Sequence, residues 1–284
     1  LPSLVDTAAH AASAAAPDTE RRFGGLARLY GALGAQRIAA AHVAVVGVGG
    51  VGSWAVEALA RSGVAALTLI DLDHVSESNI NRQIQALGST LGQAKVLALK
   101  ERMADIHPAC RVQAVEDFVE PGNWPALLPA GVDAVIDACD QTPAKLAMAR
   151  WALRTGAVFI TVGAAGGKRL AHRVDIDDLA QASHDPLLAN LRRRLRREQG
   201  VAPKGDLGLA CVFSREPVAL PEAACAADDA NDGSLNCHGY GSVVSVTATF
   251  GHCAAGWVLD QLARQPPKAG AAAASTARAS ATCP

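Results

Sequence analysis

A short β-branched run, His42-Val-Ala-Val-Val46, passes directly into Gly47-Val-Gly-Gly-Val-Gly52 and then into a stretch with helical apolar spacing. Glycines so placed permit a tight turn and let backbone approach a phosphate. The helix start that follows offers unpaired N–H groups at the positive end of a dipole. The bare G-x-G-x-x-G pattern is common, but its place between a strand and a helix is what the mechanism demands. Gly47, Gly49, Gly50 and Gly52 are therefore expected to hold a nucleotide phosphate. The plainer reading is that they only pack a helix against a sheet.

The alternation continues along the chain. Strands are predicted at 42–47, 66–70, 111–115, 133–136 and 157–162, with helices at 50–62, 93–106 and 143–154. Val51, Ala55, Ala58 and Leu59 share a face of the first helix, and Val96, Leu97, Leu99 and Met103 are expected to be buried in the second. Such repetition predicts an α/β fold, a Rossmann-like doubly wound sheet that is mostly parallel with helices on both faces. After Gly163, glycines and prolines break the pattern. A basic helix over 185–199, a strand over 207–213, a long loop over 214–233 and a packed helix over 242–262 are read as a C-terminal extension. The expected divisions are a disordered tail (1–18), a nucleotide-binding domain (19–165), a substrate-facing part on the same core (166–264) and a second disordered tail (265–284).

Bulk properties exclude several classes. The 284 residues carry a net charge of -1, so any nucleic-acid surface must be a local patch. No apolar run reaches the roughly 18 residues of a membrane span. Residues 1–17 lack a basic start, which predicts no secretory signal, and the absent initiator Met suggests a chain shorter than the translated product. The seven cysteines include no C-x-x-C pair, which argues against a disulfide framework or a four-cysteine zinc site and for a reducing, cytoplasmic setting.

A glycine turn followed by an acid about 20 residues on suits either NAD or ATP. Asp71 is that acid, placed to bind a ribose. The surroundings favour ATP. Asp73, Asn79, Arg82 and Gln83 follow Asp71 closely, and Gly92-Gln-Ala-Lys95 puts a lysine at the opening of a helix. Cations converging on a glycine loop suit a triphosphate, since they neutralise charge building on a leaving pyrophosphate. The plain alternative for Arg82 and Lys95 is solvated surface. Asp137-Ala-Cys-Asp140 ends a strand, where ligands gather in open parallel sheets, and Asp140 is placed to hold Mg²⁺.

Taken in order, G-x-G-G-x-G, D-x-D-x-V-x-x-S-N-x-x-R-Q, G-x-x-K and D-x-x-D resemble the signature of the ubiquitin-activating-enzyme-like adenylyltransferases, over about residues 22–165. The resemblance implies ribose binding by Asp71 with Asp73 nearby. It implies phosphate binding by Asn79, Arg82 and Lys95, and Mg²⁺ on Asp140. Two departures stand out. The paired C-x-x-C motifs of carrier-activating members are absent, and their R-Y-x-R segment is replaced by Arg22-Phe-Gly-Gly25, leaving Arg22 or Arg28 as substitutes.

Arg22–Tyr30, Gly49–Trp54, Asn79–Gln83, Asp185–Leu187, Cys211–Ser214 and Val246–Gly251 are similar to one branch, the tRNA threonylcarbamoyladenosine dehydratases, over about residues 21–262. That branch implies ATP-driven cyclisation of a threonylcarbamoyl group beside the tRNA anticodon. It also implies a homodimer, a sulfur-transfer partner and a monovalent cation (Na⁺ or K⁺) near the C-terminal loops. The other enzyme reading is activation of a ubiquitin-like sulfur carrier, and a third is a regulatory module without catalysis.

A tRNA requires a positive surface, and Arg192, Arg193, Arg194, Arg196 and Arg197 are expected to supply it opposite a buried face of Leu188, Leu191 and Leu195. Lys168, Arg169, His172 and Arg173 would extend it, the bland alternative being a solvated helix face. Cys237, in Asn236-Cys-His-Gly-Tyr-Gly241, is read either as a catalytic nucleophile aided by His238 or as a plain buried thiol. Trp54, Trp151 and Trp257 are read as core.

Overall fold

The computed structural model describes residues 17–199, 205–219 and 240–265. One sheet of seven strands organises them, in the order β3-β2-β1-β4-β5-β7-β6. The strands are β1 (His42–Val46), β2 (Ala66–Ile70), β3 (Arg111–Val115), β4 (Ala134–Asp137), β5 (Val158–Val162), β6 (Val174–Asp178) and β7 (Ala210–Ser214). All pairings are parallel except that of β6 with β7. The central strands are Val- and Ile-rich because both faces of a parallel sheet are covered.

The helices are α1 (Thr19–Phe23), α2 (Gly25–Ala40), α3 (Gly52–Arg61), α4 (Lys95–Ile106), α5 (Thr142–Thr155), α6 (Pro186–Gln199) and α7 (Val244–Arg264). On one face, Leu59, Leu99 and Met103 join Phe250 and Val258 of α7 over β1 and β2. On the other, Met148 and Ala149 of α5 meet Leu188, Leu191 and Leu195 of α6. β1 lies between β2 and β4. The connections leaving β1 and β4 run to helices on opposite faces, which opens a crevice at their carboxyl ends.

The structure adds elements that the sequence reading lacks. Asp18, expected in a tail, caps α1 by accepting from the Arg21 N–H. α2 carries no clean apolar stripe: Leu29 and Leu33 are 74% and 67% exposed, and Gly31 kinks it at φ 73°. β6 was missed because alternate residues are aspartates. Asp175 and Asp177 pair with Arg215 at the sheet edge. The Asp178 carboxylate accepts from four backbone N–H groups, of Ala180, Leu207, Gly208 and Leu209. One burial expectation fails: Leu97 is 37% exposed, and Ala98 takes its place on the inner face of α4. The greater parts of both expected tails, and of the long loop, fall outside the described residues.

Candidate nucleotide site

The glycine turn leaves β1 with Gly47 at φ 80°, a left-handed conformation that favours glycine. A Cβ there would sit 2.8 Å from the Cys139 nitrogen, so the turn lies directly against the Ala138–Cys139 peptide that follows β4. A Cβ on Gly52 would come within 1.8 Å of the Gly47 oxygen. Gly49 and Gly50 differ: an added Cβ would meet the Gln83 amide at 3.7 Å on Gly49, and the Arg82 stem at 3.4 Å and the Thr247 methyl at 3.5 Å on Gly50. Two glycines are thus required by the fold, and two leave a bare backbone cradle.

Asp71 fixes the cradle from below. Its carboxylate accepts from the Val48 N–H at 2.7 Å and from the Asp73 N–H at 2.9 Å. Burial pushes its pKa up, against the nearby Lys95 ammonium. The Asp73 side chain is 55% exposed and receives the Lys95 ammonium at 2.7 Å, while Lys95 itself is buried. Gln85 bridges the Val48 carbonyl and the Gln83 side-chain oxygen. Asn79 is buried and orders its turn: its side-chain oxygen accepts from the Ser76 N–H, and its carbonyl accepts from the N–H groups of Arg82 and Gln83. Arg82 donates to the Ser78 carbonyl and the Asn81 side chain. Lys95 is therefore not solvated surface, and Arg82 is half-buried with its guanidinium held to its own turn.

The turn after β4 rests on a cluster that the sequence reading did not name. Lys145 is fully buried, and its ammonium contacts Asp137 Oδ1 at 3.1 Å, Thr161 Oγ1 at 3.1 Å and the Val162 carbonyl at 2.7 Å. Thr161 donates to Asp137 Oδ2. Spacing held the clue, because Lys145 shares an i, i+3, i+4, i+7 stripe with buried Met148, Ala149 and Ala152. Asp140, half-buried, comes three residues after Asp137, directly after the Ala138–Cys139 peptide that lies against Gly47. Burial, and then the Asp137 carboxylate, pushes the Cys139 thiol well above its usual pKa.

Gly47, Gly49, Gly50, Gly52, Asp71, Asp73, Asn79, Arg82, Gln83 and Lys95 therefore gather around one turn. Cys237 lies outside the described residues. Arg22 is tied within its own chain, donating to the Asp105 and Ile106 carbonyls at the end of α4, whereas Arg28 is exposed.

The basic surface is smaller than expected. Lys168 is 2% exposed, and its ammonium donates to the His184 and Glu216 carbonyls, so it belongs to the interior. Arg192 is half-buried and caps the Leu179 and Ala182 carbonyls. Arg196 donates to the Gly205 carbonyl and Arg194 to the Asn190 side chain. Arg193 and Arg197, one turn apart on α6, are exposed, as are Arg169, His172 and Arg173. Among the described residues no helix is long and apolar enough to cross a membrane.

Comparison with known proteins places this geometry. The chain is 43% identical over 258 residues to the tRNA threonylcarbamoyladenosine dehydratase of Escherichia coli, covering 88% of this chain and 96% of that protein. The crystal structure of the E. coli enzyme in complex with ATP superposes with a TM-score of 0.77 at 42% identity, covering 91% of this chain and 96% of that one. The molybdopterin-synthase adenylyltransferase of Salmonella typhimurium is 36% identical over 112 residues, 39% of this chain and 45% of that protein. The ThiF family model matches residues 23–278. With a match across that span and a sheet, turn and cradle of this form, the chain belongs to the ThiF family.

Proposed function

We propose that this chain is an ATP-dependent tRNA threonylcarbamoyladenosine dehydratase. The observation that carries the reading is likeness to the E. coli dehydratase over nearly the full length of both chains, in sequence and in fold. The likeness to the molybdopterin-synthase enzyme covers less than half of either chain, which disfavours the sulfur-carrier alternative.

A carboxylate is a poor electrophile because oxide is a poor leaving group. In the proposed reaction the threonyl carboxylate oxygen attacks the α-phosphorus of ATP, the bond to the β-phosphate breaks, and pyrophosphate departs. An atom of the same side chain then attacks the acyl carbon and AMP leaves, so the substrate loses one water. Intramolecular capture needs no separate nucleophile. The bare backbone of Gly49 and Gly50 receives phosphate, Arg82 and Lys95 offset its charge, and Asp71 binds the ribose with the Lys95-paired Asp73 beside it. Mg²⁺ would sit on Asp140 and neutralise phosphate oxygens. Arg193 and Arg197 supply cations to the tRNA backbone. The homodimer, the monovalent cation and the sulfur-transfer partner rest on the family resemblance alone. The proposed setting is the cytoplasm, with tRNA.

The test is nucleoside mass spectrometry of threonylcarbamoyladenosine-bearing tRNA incubated with protein and ATP. The expected result is a product lighter by one water, absent without ATP and absent with Asp140→Ala. Pyrophosphate exchange driven only by a carrier protein's C-terminus would select the alternative.

A further inference from the structure

Trp54, the third residue of α3, is not simply core. Its indole Nε1 donates to the carbonyl oxygen of Arg82 at 2.9 Å. The Thr247 hydroxyl of α7 stands 3.5 Å from the same oxygen, and the Asn81 side chain donates to the Ser242 carbonyl just before that helix. α7 also braces the indole. His252 packs edge-on to it at 5.9 Å, and a Cβ on Gly251 would lie 2.9 Å from the Trp54 Cβ and 2.4 Å from the Val51 oxygen. Only a glycine lets α7 pass so close to the start of α3. The Arg82 stem lies over Gly50, with its Cγ and Cδ 3.4 Å from where a Cβ would be.

We propose that Trp54 is a positioning residue for ATP, its indole N–H fixing the Arg82 carbonyl so that the guanidinium stays over the glycine cradle. One helix start would then supply both backbone groups for the phosphates and the anchor for their cation. A hydrogen bond from a rigid, braced ring restrains the Arg82 peptide, whereas the guanidinium's own contacts to Ser78 and Asn81 are local and move with the turn. The inference rests on Arg82 as a phosphate ligand, and its test separates the two.

ATP binding is measured by calorimetry on the full chain, on Trp54→Phe, on Arg82→Ala and on the double variant, with Mg²⁺ present. Losing one such bond should weaken ATP binding about 2- to 10-fold in Trp54→Phe. The double variant should bind no more weakly than Arg82→Ala alone, and tRNA affinity should stay unchanged in Trp54→Phe. Losses that multiply in the double variant, or an unaffected Trp54→Phe, overturn the role of Trp54. Undiminished ATP binding by Arg82→Ala overturns the phosphate reading itself, and the inference with it. Should Trp54→Phe fold poorly, a benzothienyl analogue at position 54 keeps the ring shape and removes only the N–H. It must reproduce the loss, and wild-type affinity there overturns the proposal.

Discussion

At the scale of single residues, the four glycines of the turn separate into two kinds. Gly52→Ala would drive a methyl into the Gly47 oxygen at 1.8 Å, a backbone atom with nowhere to go. Gly50→Ala meets only side-chain carbons at 3.4 and 3.5 Å, ordinary contact distances, yet its methyl occupies the cradle. Gly52→Ala is therefore expected to destabilise the protein by roughly 2 kcal/mol or more, within the range for such overlaps. Gly50→Ala should melt near the wild-type temperature and lose ATP affinity at least tenfold. Thermal melts paired with ATP titrations check this, and equal melting of both variants would reject the division. Sequence spacing revealed the glycines because their chemistry is local. It could not separate the pairs, since the Gly47 carbonyl and the Arg82 stem become neighbours only once the chain has folded. Lys168 and Arg192 were misplaced for the same reason. Their charge is visible in the sequence, but the carbonyls that bury them come from up to 48 residues away.

At the scale of elements, interior strands were the most legible, because a parallel sheet covered on both faces selects continuous β-branched runs. Interior β2 was read with the same limits that the structure shows, and so was β3, although it lies at the sheet edge and is partly exposed. α1, α2 and β6 were not legible. They lie at the periphery, where exposed leucines or paired aspartates leave no periodicity to read. α1 is held by few contacts: Arg22 on the last carbonyls of α4, Phe23 edge-on to His107 with centroids 4.7 Å apart, and Phe23 against Gly63. Burial, and then the Arg22 charge, holds the His107 pKa below its usual value. The unfolded chain therefore takes up a proton first as pH falls. His107's contribution to stability is complete above the ordinary histidine pKa of about 6.5 and is lost as pH drops from there toward the lowered folded value. Wild-type protein should lose melting temperature between about pH 7.5 and 5.5 more steeply than His107→Phe, which keeps the ring contact without the titration. Parallel curves for the two proteins would show that another group sets the acid response.

At the scale of the whole molecule, charge is balanced, with 26 basic and 27 acidic residues, yet the proposed partner is a polyanion. Attraction must then arise from where the charges sit. Within α6, Leu188, Leu191 and Leu195 turn inward, Arg192 and Arg196 are spent on backbone carbonyls, and Arg193 and Arg197 remain outward at i, i+4 spacing. With only these two fully outward, the effective patch is narrower than the sequence implies. Each phosphate contact contributes roughly 0.7 to 0.9 to the slope of log affinity against log salt. Replacing both Arg193 and Arg197 with Glu should reduce that slope by about 1.4 to 1.8 and weaken tRNA binding at low salt by about tenfold or more. The ATP cradle is built from the turn between β1 and α3, the Asp71–Lys95 segment and the turn after β4, none of which contains Arg193 or Arg197, so ATP affinity should hold. Fluorescence anisotropy of labelled tRNA across a potassium chloride series, run beside ATP calorimetry, reads both quantities. An unchanged salt slope would move the tRNA surface away from α6, toward Arg169 and Arg173, and a matched loss of ATP binding would mean that the substitutions had damaged the fold.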